Sequence, residues 1–195
     1  MQTENFSADQ SLKLIDSMIN KAKNQFSEKG ILYLLWGWVI LVCAVGHFVL
    51  LQLDIFKHPE IIWSACWLVV IFQVIYLVRI KKTATVRTYS DEIMGYVWLS
   101  FGIAMVLAGF IMGRAQLFEY MYPLFLVLYG IPTFLSGVIM RFKPLKIGGI
   151  SCWVLAIISV FISSDYTLLL LAAAVAIAWI IPGYMLAAKY KRQNS

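Results

Sequence analysis

Residues 32–50 read LYLLWGWVILVCAVGHFVL. No Lys, Arg, Asp or Glu interrupts the run, and its one strongly polar side chain is His47, four residues after Cys43. As an α-helix rising about 1.5 Å per residue, the run matches a hydrocarbon core of about 30 Å. Water offers such a surface no partner, whereas lipid does. This stretch therefore predicts a membrane span.

The whole chain agrees. Its 195 residues are 62% hydrophobic and 13% charged, with mean hydropathy +0.81. Soluble domains are about 45–50% apolar and about 25% charged, so a soluble globular fold is excluded. The three cysteines, Cys43, Cys66 and Cys152, all lie inside apolar runs, which implies no disulfide framework. The polar first thirty residues are too long for the leading part of a signal peptide, so the first apolar run reads as a retained anchor.

Six runs have spanning length: 31–53, 60–80, 94–113, 119–140, 144–163 and 166–188. The last two form one nearly unbroken apolar stretch, too long for a single crossing. The chain is expected to turn at Ser163-Ser164-Asp165, where capping side chains and an acid coincide. The predicted fold is all-α: a six-helix transmembrane bundle over residues 31–188, with tails at 1–30 and 189–195.

The cations set the orientation. Fourteen of the sixteen Lys and Arg residues fall in the two tails and in the segments after the second and fourth runs. Only Lys57 and Arg114 lie in the alternate loops. Cytoplasmic segments carry this excess, so both termini are expected in the cytoplasm. The net charge of +6 is thereby accounted for without a nucleic-acid partner.

Ahead of the first run, Ser7 and Gln10 fit a capping box, and Leu12, Ile15, Ile19, Ala22 and Phe26 recur at helical spacing. Residues 7–29 thus predict an amphipathic cytoplasmic helix. It can lie on the lipid surface, or dock a cytoplasmic or membrane protein or a second copy of the chain. Residues 11–40, SLKLIDSMINKAKNQFSEKGILYLLWGWVI, together with the hydropathy profile, resemble a family of small uncharacterised bacterial six-span membrane proteins. The resemblance implies a bacterial inner membrane and carries over no site residue.

The spans hold little chemistry. All ten acids lie in tails, loops or span ends, so the carboxylate that usually couples ions to transport is missing. There is no His-Glu-x-x-His pair and no Gly-x-Ser-x-Gly elbow, and no catalytic residue is assigned. A haem held by two histidines is disfavoured because His58, the only other histidine, falls in a loop. Cys43 and His47 share one helical face, and Cys66 enters from the opposite side to a similar depth. These three are candidate ligands for copper(I) or zinc, set against ordinary packing and interhelical hydrogen bonding. No cofactor is assigned.

Gly95, Gly102 and Gly109 recur every seven residues, and Gly109 with Gly113 forms a GxxxG, so this face is expected to pack closely within the chain or between chains. Trp36, Trp38, Trp63 and Trp98 fit interfacial belts. Pro132-Thr133 and Pro182 mark kinks that can free carbonyls, and Gln73 is a further polar candidate.

The leading expectation is a non-enzymatic sensing, scaffold or regulatory membrane protein. A small permease or channel with Gln73, Pro132 and Thr133 near its pathway is the alternative. A metal or cofactor protein centred on His47 comes third.

Overall fold

The computed structural model describes residues 8–54, 56–83 and 89–193, with side-chain surroundings for 30–54, 56–79, 92–189, 191 and 192. Its described residues are all-helical. Helix α1 is Ala8–Leu53, and a 3₁₀ turn at Pro59–Ser64 leads into α2, Ala65–Thr83. Then come α3, Tyr89–Ala115; α4, Met121–Ile139; and α5, Lys143–Ser159. The last rod is α6, Ser164–Val175, a wide π turn at Ala176–Ile180, and α7, Ile181–Gln193. Among the described residues five stretches are long and apolar enough to cross a membrane: Gly30–Leu53, Pro59–Arg79, Glu92–Ala115, Phe118–Ile139 and Ser164–Lys189.

The predicted run 144–163 is shorter as a helix. Its 17-residue α5 stops at Ser159, and tight turns carry the chain onward, with the amides of Val160, Phe161 and Ile162 each bonding three residues back. The chain does turn at Ser163, whose backbone is extended, but the serine side chain makes no cap. Instead its carbonyl accepts the amide of Thr167 at 3.3 Å.

Helix α1 continues from its span through residues 8–29 without a break. The expected apolar stripe from Leu12 to Phe26 lies outside the described side chains, and residues 1–7 lie outside the described residues.

The exits of α3 and α4 share one design. The Leu117 amide bonds Met112 and the Gln116 amide bonds Gly113; likewise Phe142 bonds Gly137 and Arg141 bonds Val138. This paired closure satisfies the last carbonyls and requires a left-handed residue, here Gln116 (φ 58°) and Arg141 (φ 49°) where glycine is usual.

The core lies between α1, α4, α5 and the α6–α7 rod, around Leu126, Leu145, Leu168, Leu171, Val175 and Leu186. Close approach there depends on small residues. A Cβ on Gly148 would come within 2.6 Å of the Ala178 Cα, and one on Gly137 within 2.6 Å of the Lys146 amide. Outside this core sit α2 and α3. None of the spanning part of α2 is buried, and very little of α3.

Contacts also fix which helix ends meet. Gly30 abuts Gly183 and Leu186, Met94 meets Ser136, and Lys189 lies over the Phe142 ring. At the opposite end His47 meets Trp63 and Tyr122, and Phe48 meets Tyr166. Helix α5 runs antiparallel to α4, with Leu145 and Lys146 against Gly137 and Trp153 against Gly130.

Candidate functional site

His47 is buried, at 6% exposure, and its Nδ1 gathers two partners. The Trp63 indole donates to it at 3.0 Å, and the Tyr122 hydroxyl lies 3.0 Å away. An indole N–H can only donate, so Nδ1 is the bare nitrogen and the neutral ring carries its proton on Nε2. The three rings form a triangle with centroids 6.1–6.3 Å apart. This triad ties α1, the entry to α2 and the start of α4 at one end of the bundle.

One turn deeper, the buried Cys43 thiol donates at 3.6 Å to the carbonyl of Ile62, four residues ahead of Cys66. Cys43 and Cys66 thus fall at one level of the α1–α2 seam, with His47 on the same face of α1. Yet no group of three or more His, Cys, Asp or Glu side chains among the described residues is placed to hold a metal ion. Cys152 is buried separately in α5.

Gln73 accepts the Trp36 indole N–H, joining α2 to α1. Pro132 and Thr133 are buried in α4, where the Thr133 hydroxyl donates to the Tyr129 carbonyl at 2.7 Å and accepts the Trp179 indole N–H at 2.8 Å. Gln73 and Thr133 therefore serve different helix pairs and share no partner.

Trp179 sits in the π turn. There the Ile181 amide reaches back five residues to Ala176, immediately before Pro182, which has no amide to extend a regular turn. The Trp179 ring packs at a tilt against Tyr129, centroids 4.8 Å apart, and meets Trp98, which in turn meets Tyr33. Nearby the Ser136 hydroxyl donates to the Met94 thioether at 3.0 Å. The Tyr33 hydroxyl is the only sealed side-chain polar atom among the described residues without a hydrogen bond. Ser136 and Trp98 are the polar groups that face it.

No protein-family model, curated protein or solved structure matches the chain. Its chemistry is read from this geometry alone.

The structure bears on two sequence expectations. Trp36 and Trp63 hydrogen-bond and Trp98 packs edge-on inside the protein, and of the four belt candidates only Trp38 is largely exposed, at 47%. A dry indole N–H needs an acceptor, and that need was the available signal for pairing Trp63 with His47. The second concerns packing within the chain at α3. Gly95, Gly102 and Gly113 have nothing of this chain within 4 Å of a Cβ position, and Gly109 has only the Phe125 ring at 3.9 Å. The close intramolecular glycine contacts belong to α4, α5 and the α1–α7 seam instead.

Two concavities among the described residues are open grooves. One, of about 750 Å³, lies between α3, α4 and α5 and is lined by Met112, Pro123, Val127 and Trp153; the other lies between α3 and α4 beside Tyr96 and Ser100.

Proposed function

We propose that the chain is a six-span protein of a bacterial inner membrane, with both termini cytoplasmic, that acts as a non-enzymatic scaffold or regulator through helix contacts. The observation behind this reading is the state of the buried polar groups. Among the described residues each sealed polar side-chain atom except the Tyr33 hydroxyl bonds within the protein. A transport path or a reaction site would leave several such groups facing a shared cavity.

Helix α5 serves as the sixth span, because it lies antiparallel along α4 and its 17 residues cover about 25 Å before the turn that follows. The meeting of the α1 and α7 ends near Gly30 and Gly183 supports common sidedness, as does the bias in cations. Residues 8–29, helical in continuity with the first span, supply the cytoplasmic contact.

The test compares the full chain with one lacking residues 1–29, both cross-linked in their own membrane and recovered intact. Loss of a defined cross-linked partner or second copy on deletion supports the reading. An unchanged pattern rejects a role for the tail. Solute flux into liposomes containing the protein, absent from empty ones, would favour a permease instead.

A further inference from the structure

The seam between α1 and α2 has a regular register. Trp36 bonds Gln73, Cys43 then falls level with Cys66, and His47 bonds Trp63. From the first pair to the second, α1 advances seven residues while α2 retreats seven; the third pair lies one turn further on. Two antiparallel helices with that spacing keep one face together, so Cys43 and Cys66 are directly opposed at the middle of the seam.

The two segments also interlock there. Gly46 leaves room for the Ile62 side chain, which a Cβ would meet at 2.5 Å. The Cys43 thiol touches the Ile62 carbonyl, and that carbonyl accepts the amide of Ala65, the neighbour of Cys66. A disulfide needs Cα atoms about 4.4–6.8 Å apart with converging Cβ directions, which two helices reach only at opposed positions of a close seam. Cys43 is sealed at 2% exposure, whereas Cys66 is half-buried on the outward helix.

We propose that Cys43 and Cys66 form a redox-active dithiol whose oxidant is a lipid-soluble quinone. The oxidant has to reach Cys66 from the bilayer, and it has to take protons together with electrons, because a free thiolate is costly in an apolar seam. A quinone meets both conditions. The two S–H bonds break and one S–S bond forms. The two electrons and two protons reduce the quinone to hydroquinone.

The product is a covalent staple on the helix that buries none of its spanning length and is otherwise held through this seam. Oxidation would therefore set how firmly α2 stays against the bundle. The idea is independent of the scaffold reading, since it concerns these two thiols alone.

The experiment incubates the reduced full-length protein, in lipid nanodiscs, with decylubiquinone. Thiols are then counted by maleimide labelling under denaturing conditions. The expected change is from three labelled cysteines to one, with a peptide joining residues 43 and 66 and one hydroquinone formed per chain. Cys66→Ser should keep both remaining thiols, and Cys152→Ser should lose both of its own. Three labelled cysteines in the wild-type chain after quinone treatment would overturn the proposal. So would a bond that joins two chains or uses Cys152. The wild-type count decides the matter even if a variant fails to fold.

Discussion

Trp63 donates its indole N–H to His47 Nδ1 across 3.0 Å, and this bond assigns the imidazole tautomer. The same nitrogen receives Tyr122, so one ring holds three helical segments. Replacing His47 with Phe removes the acceptor that Trp63 and Tyr122 share, whereas Trp63→Phe removes only one donor. Interhelical bonds in membranes are worth about 0.5–2 kcal/mol, so His47→Phe should destabilise the bundle by about 2 kcal/mol and Trp63→Phe by about 1. Detergent-titrated unfolding of the two variants and of the double variant measures this. Strict additivity in the double variant would show that the bond carries no energy.

The glycines separate into two groups with opposite expectations. A methyl on Gly148 meets the Ala178 backbone, which cannot move aside as a side-chain tip can. Gly148→Ala should cost about 2 kcal/mol or more, through overpacking between α5 and the last rod. At Gly102 nothing of this chain is in the way, and Ala is a better helix former than Gly by about 1 kcal/mol. Gly102→Ala should therefore leave stability equal or slightly raised. A marked loss on Gly102→Ala, accompanied by a smaller particle in size-exclusion chromatography, would instead show that another chain covers this face.

The spans were legible in the sequence because apolar length reports lipid directly, and five of the six runs appear as helices of spanning length. Which helices form the centre was not. In a bilayer the outward face is as apolar as the inward one, so the pattern of α2 looks like a core helix although none of its span is buried. The depth match of Cys43 and Cys66 was readable from distance along two helices; the facing of the two thiols depends on packing. His47 stood out as a lone polar group, yet its partners Trp63 and Tyr122 looked like ordinary membrane aromatics. The wide turn at Trp179 was also hidden: Pro182 announces a break, but only contact with Thr133 and Tyr129 places the ring.

Gln116 closes α3 in the left-handed region at φ 58°, with the paired backbone bonds intact. A side chain there costs about 1 kcal/mol relative to glycine, whose backbone accepts that angle freely. The residue is exposed, so little packing is lost on truncation. Gln116→Gly should raise stability by about 0.5–1 kcal/mol. Unfolding that starts earlier in the variant would mean that the glutamine side chain holds the turn in some other way.

Helix α5 decides whether the termini share a side. If it crosses, Arg141 and Arg192 face the same compartment, while Gln116 and Asp165 face the other. If it does not cross, Asp165 joins Arg141 and the C-terminal tail moves to the opposite face. Single cysteines at these four positions, in a chain whose native cysteines are replaced by serine, separate the cases. A maleimide that cannot cross the membrane should label positions 116 and 165 in sealed cells. Positions 141 and 192 should react only after permeabilisation, since segments rich in Lys and Arg favour the cytoplasmic side. Labelling of 192 in sealed cells with 141 still protected would remove the sixth span and, with it, the shared sidedness of the two tails.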